Sequence, residues 1–117
     1  KTPSEAILHF TNGKVKRMLT TRIIRAPRPG TLALMLRRTS QEARKQVENQ
    51  HFDAVGLIQT DLPSLFYYMD IGQKAGNVIP VEILGNCPQH INTIAFFGSN
   101  EAVNACINAI IAADRQK

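Results

Sequence analysis

Ala54-Val55-Gly56-Leu57-Ile58-Gln59-Thr60 is the stretch that decides how this chain folds. Its first five residues are a continuous apolar run, the mark of a strand covered on both faces. Asp61-Leu62-Pro63 follows and opens a helix, with Asp61 as cap and Pro63 in the first turn, where its missing N–H costs nothing. That helix reaches Lys74-Ala75-Gly76, and the glycine serves as its stop. Strands over residues 78–84 and 91–97 come next, joined by Gly85-Asn86-Cys87-Pro88-Gln89-His90. Gly98-Ser99-Asn100 then caps a helix over residues 101–114, in which Val103, Cys106, Ile107, Ile110 and Ile111 recur at helical spacing. The order from Asp53 onward is β-α-β-β-α, an α+β pattern.

Ahead of this unit, Ala6-Ile7-Leu8-His9-Phe10 reads as a strand and Thr11-Asn12-Gly13-Lys14 as a hairpin turn, since Asn and Gly both tolerate positive φ. Residues 15–25 return as a longer strand. Ala26-Pro27-Arg28-Pro29-Gly30 cannot remain in a sheet and closes it. Leu32, Leu34, Met35 and Leu36 suggest a short helix ending near Arg37-Arg38. Residues 40–50 are polar, with Ser40 placed to cap a solvated helix.

Composition narrows the class. The 117 residues suffice for one domain with a modest core, and 44% hydrophobic with 20% charged residues is ordinary for a globular protein. No apolar run approaches the ~20 residues of a membrane helix, and no secretory signal is read, so neither membrane nor export is expected. Two cysteines, Cys87 and Cys106, make no disulfide framework and point to a reducing interior. The net charge of +5 is uneven: residues 1–50 carry 11 of the 14 basic and 3 of the 9 acidic residues, a net +8, leaving −3 for the remainder. The basic residues alternate with Val, Leu and Ile and lack aromatic partners, so one solvated basic face accounts for them and no nucleic-acid partner is expected.

Chemistry-bearing residues are few. No phosphate-loop or dinucleotide glycine pattern occurs. Asp61, Asp70 and Glu82 are dispersed carboxylates without acid/base spacing, so an enzyme is not expected. Cys106 falls on the apolar face of a helix, where core filling is its role. His9 and His51 have no partner in the sequence and are read as structural. Cys87 and His90 stand three residues apart, where Gly85 would allow close backbone approach and Pro88 would stiffen the loop. Two readings of Cys87 stand: a small residue at a tight turn, or a soft thiolate ligand for an iron–sulfur cluster, Zn or Cu(I). One Cys and one His close no metal site alone, and would do so only if several copies of the loop met on a symmetry axis.

Residues 53–115 resemble the bacterial microcompartment shell domain. The likeness lies in Ala54-Val55-Gly56-Leu57-Ile58-Gln59-Thr60, in Gln73-Lys74-Ala75-Gly76-Asn77-Val78, and in Gly98-Ser99-Asn100-Glu101-Ala102-Val103. In most members a strand ending in Pro-Arg-Pro and a short Leu-rich helix follow the last helix. Here that pattern stands near the front, as Ile23-Ile24-Arg25-Ala26-Pro27-Arg28-Pro29 and then Leu32 to Leu36, and not after residue 114. The chain therefore resembles the circularly permuted branch, whose extra N-terminal hairpin residues 7–19 would supply.

That resemblance implies a ferredoxin-like shell domain spanning residues 1–117, with a hairpin extension over 1–20 and a shell core over 21–117. It implies a homohexamer that tiles with other shell proteins of a microcompartment in the bacterial cytoplasm, with the hairpins gathered into a β-barrel over the central pore. Lys74 and Arg28 match the family's hexamer-edge residues. Gly85, Asn86, Cys87, Pro88, Gln89 and His90 match a pore loop and resemble the motif of permuted shell proteins from glycyl-radical propanediol microcompartments. A [4Fe–4S] cluster held by Cys87 from several subunits is the implied cofactor, with His90 at the rim or behind the ligands. A small-molecule regulatory domain without metal is the alternative, because β-α-β-β-α order is widely shared.

Overall fold

The computed structural model describes residues 9–11, 14–16, 19–85 and 91–116. The elements are β1 (His9–Thr11), β2 (Lys14–Lys16), β3 (Thr20–Arg25), α1 (Pro29–Leu36), α2 (Gln41–Glu48), β4 (Ala54–Asp61), α3 (Leu62–Ala75), β5 (Ile79–Ile83), β6 (Ile91–Gly98) and α4 (Asn100–Arg115). A four-stranded antiparallel sheet has the order β3-β4-β6-β5. β1 and β2 form a separate two-stranded hairpin with Phe10 opposite Val15. The hairpin expected around Asn12-Gly13 is therefore present, while the long return strand expected over 15–25 is divided. β2 pairs with β1 in the hairpin and β3 pairs with β4 in the main sheet.

The alternation of β4 explains the layering. Ala54 and Ile58 face α3 and α4, in a cluster with Leu65, Tyr68, Ile94, Phe96, Val103, Cys106, Ile107 and Ile110. Val55 faces α1 and α2, in a second cluster with Val47, Val81, Ala95 and Phe97. Cover on both faces explains the unbroken apolar run from Ala54 to Ile58, and the strand turns polar at Gln59, which is exposed. α2 is less solvated than expected, since Val47 is buried against the sheet. The Phe52 ring packs edge-on to Phe97 at 5.0 Å and closes that side.

Helix ends follow the expected caps with two corrections. The Ser40 and Ser99 hydroxyls accept the Ala43 and Ala102 N–H groups, each at 3.1 Å. Asp61 occupies the N-cap of α3 but its carboxylate bonds no helix N–H. Gly76 ends α3 in extended backbone (φ −149°), not as a left-handed stop. It is glycine because a Cβ there would collide with the Ala102 carbonyl oxygen of α4.

Gly72 shows how tightly α3 and α4 meet. A Cβ there would lie 2.6 Å from Cys106 Sγ and 3.1 Å from Ile110 Cδ1. Cys106 is the small residue that fits. Gly72→Ala should lower the unfolding free energy by ~1–2 kcal/mol, with overpacking outweighing the gain in helix propensity. The penalty should shrink when Cys106→Ala is added, as a double-mutant cycle by chemical denaturation would measure.

Candidate functional site

The register of β4, β5 and β6 gives the molecule two distinct ends. β6 runs against β4 from Gly98 opposite Ala54 to Ile91 opposite Asp61, and against β5 from Phe97 opposite Ile79 to Thr93 opposite Ile83. The connection from Gly85 to Ile91 therefore leaves the sheet at the end where β4 passes into α3. Asn86, Cys87, Pro88, Gln89 and His90 lie outside the described residues. The scaffold beneath them is defined. The Leu84 N–H donates to the Arg38 carbonyl at 2.6 Å, tying the end of β5 to the segment after α1. Gln59 Nε2 donates to Thr93 Oγ1 at 3.1 Å across β4 and β6. Arg38, Gln59, Glu82, Leu84, Gly85 and Asn92 are among the residues lining a cleft of about 280 Å³ at this base. Gly85 is exposed, and no described residue occupies the space where a Cβ would stand.

Asp61 belongs to this loop end. It is buried, its Oδ1 accepts the Thr60 hydroxyl at 3.2 Å, and its Oδ2 has no hydrogen-bond partner among the described residues. A carboxylate at a helix N-terminus is favoured by the aligned peptide dipoles of α3, which eases its burial without capping any N–H.

The opposite end gathers the residues expected at the hexamer edge. Arg25 stands opposite Ala54, the Ala26 N–H donates to the Asp53 carbonyl at 2.8 Å, and the Asp53 N–H donates to Gly98 at 2.9 Å. Ala26 takes a left-handed conformation (φ 47°), a turn that costs a non-glycine residue ~1 kcal/mol. The turn delivers Pro27-Arg28-Pro29 to this end, with exposed Arg28 as the N-cap of α1. α3 starts at the loop end and runs ~20 Å back along the sheet, so Lys74 in its last turn also arrives here. Lys74 Nζ pairs with Asp70 Oδ2 at 2.7 Å, one turn earlier, and that hydrogen bond and attraction raise the ammonium pKa. Ala26, Pro27, Leu32, Phe52, Asp53 and Asn100 line a cleft of about 400 Å³ beside them.

Of the remaining sequence candidates, Cys106 is fully buried, and burial pushes its thiol up to about 12. His51 has a partner that the sequence did not disclose, with Nε2 at 3.1 Å from Asp53 Oδ1. The side chain of His9 lies outside the described residues. Among the described residues no three His, Cys, Asp or Glu side chains converge to hold a metal. No described helix is long and apolar enough to cross a membrane. Sequence reasoning missed the exposed apolar residues Leu34, Leu62, Phe66, Tyr67 and Leu84, because any apolar residue in a helix or strand reads as core.

The fold matches a solved structure. The ligand-free GrpU microcompartment shell protein from Pectobacterium wasabiae superposes with a TM-score of 0.65 and 37% sequence identity, over 78% of this chain and 98% of that one. This chain belongs to the bacterial microcompartment shell proteins. No protein-family model and no curated protein matches it. As a member, the shell protein belongs to a bacterial microcompartment in the cytoplasm.

Cys106 makes the thiol chemistry of the shell protein predictable. At pH 8 alkylation should spare Cys106 in the folded protein and reach it only after denaturation, as peptide mass mapping would report. With the folded thiol raised to about 12 from an ordinary 9.0, its contribution to stability is complete below pH 9 and lost as pH climbs to about 12. Cys106→Ala should flatten that alkaline loss in denaturation curves taken across this window.

Proposed function

We propose that this chain is a circularly permuted structural tile, six copies of which form a flat ring with residues 85–90 around a central pore. The single observation that carries this reading is the polarity of the sheet. The loop connection leaves one end, while Arg28 and Lys74 lie at the other. A ring whose loops meet on its axis presents the opposite end to neighbouring tiles, as an edge residue requires. Weak edge contacts gain strength by repetition across a sheet of tiles.

The topology supports permutation. β4-α3-β5-β6-α4 is a split β-α-β unit, and the strand completing the sheet beside β4 is β3, from the front of the chain. The β1–β2 hairpin stands apart from this sheet. An isolated hairpin is marginal in water, and closing the hairpins of a ring into a barrel over the pore would remove their open edges.

Cys87 is the residue we assign to metal. The loop supplies one Cys and one His, too few to close a metal site alone, so a cluster would need Cys87 from several subunits. Gly85, Asn86, Pro88, Gln89 and His90 would shape the loop around it. A [4Fe–4S] group there would supply one-electron transfer across the shell.

Native mass spectrometry should show a hexamer of the 13.0 kDa chain, and a stable monomer or trimer would overturn the tile. Lys74→Asp should leave that hexamer intact while impairing the sheets seen by electron microscopy. A separate test concerns the metal. Anaerobic reconstitution with iron and sulfide should give a charge-transfer absorption that Cys87→Ser abolishes and Cys106→Ser retains. Zn uptake with no such spectrum would replace the cluster by a simple thiolate metal site.

A further inference from the structure

Leu62 and Phe66 stand exposed one turn apart on α3, with exposed Asp70 one turn beyond, on the surface of the helix turned away from the sheet. They occupy the half of α3 nearest the loop end. On the other side of the sheet, Leu34 stands 63% exposed on α1, while its neighbours Leu32, Met35 and Leu36 pack into the core. Leu34, Arg37 and Arg38 line a shallow cleft of about 320 Å³. A single exposed leucine is ordinary on a surface, but the two sites differ in chemistry: α3 presents Leu62, Phe66 and Asp70, and α1 presents Leu34 beside Arg37 and Arg38. Because α1 and α3 cover opposite faces of the sheet, the two surfaces point in different directions.

We propose that these surfaces are the two halves of one interface between copies of this chain. The Phe66 ring of one copy seats in the Leu34, Arg37 and Arg38 cleft of the next, with Asp70 toward the arginines. The inference rests on the ring proposed above and names the contact that builds it. Each surface carries what the other lacks. The α3 side offers an aromatic ring and a carboxylate. The α1 side offers an aliphatic wall and two guanidinium groups, which stack on aromatic faces and bond carboxylates. Asp70 already pairs with Lys74, but that pair is solvent-exposed and weak, and a carboxylate accepts more than one donor. Two different patches that complement each other give a head-to-tail contact, which closes into a ring when the rotation permits; a patch that complements itself gives a dimer.

Phe66→Asp and Leu34→Asp, each in the full chain, test this by native mass spectrometry. Each variant alone should fall from the hexamer to the 13.0 kDa monomer. Mixed in equal amounts they should form a heterodimer and stop there. The cleft of the Phe66→Asp chain receives the intact Phe66 of the other, while the second pair of surfaces is spoiled. A homodimer of either variant, or a mixture that stays monomeric at high concentration, overturns the pairing. Two intact hexamers overturn the surface and leave the ring reading standing, whereas a monomeric wild type removes the ring itself and this contact with it. Circular dichroism checks folding, and Phe66→Ser with Leu34→Ser repeats the comparison where either aspartate variant fails to fold.

Discussion

The pairing of β4 with β6 is the constraint on which the rest of the structure depends. Eight residue pairs, from Ala54 with Gly98 to Asp61 with Ile91, lock the two central strands in one register. A slip of one residue would turn Ile58 away from α3 and α4 and expose an entire apolar set. The register also decides which chain segments share an end of the molecule. The connection after Gly85 and the start of α3 fall at one end, and Ala26, Asp53 and the cap of α4 at the other.

Helix α4 is fitted to that sheet with little space to spare. Cys106 lies where a Cβ on Gly72 would stand, and the backbone at Ala102 lies where a Cβ on Gly76 would stand. Such contact between backbones joins α3, α4 and the sheet into one rigid block, since a packed interior yields to an added methyl only by strain. The loop end and the end that carries Arg28 and Lys74 then keep a fixed separation, set by the length of α3.

Charge is segregated on the same frame. The basic first half supplies β3 and α1, with Arg22, Arg25, Arg28, Arg37 and Arg38 at the surface, and Arg25 donating to Asn104 of α4 at 3.1 Å. The acidic second half supplies α3 and α4. Copies of one chain with unlike surfaces attract head to tail more readily than face to face, because like patches would confront each other in a symmetric pair.

Much of this was legible in the sequence. The unbroken apolar run of β4 announced two covered faces, Asn12-Gly13 announced the β1–β2 hairpin, and Ser40 and Ser99 announced two helix starts, since each depends on local chemistry alone. Tertiary structure decided the rest. It gave residues 14–16 and 20–25 to two different sheets, because β2 pairs with β1 and β3 pairs with β4, a choice between distant partners that local sequence does not make. It gave Gly76 a spatial reason instead of a conformational one, because Ala102 comes from a helix 26 positions further along the chain. It placed Arg28 and Lys74 at one end, because the β4 register and the length of α3 together set where each arrives. It left Leu34 and Phe66 exposed, which no periodicity discloses, because only the packed neighbours determine which apolar side chains remain uncovered.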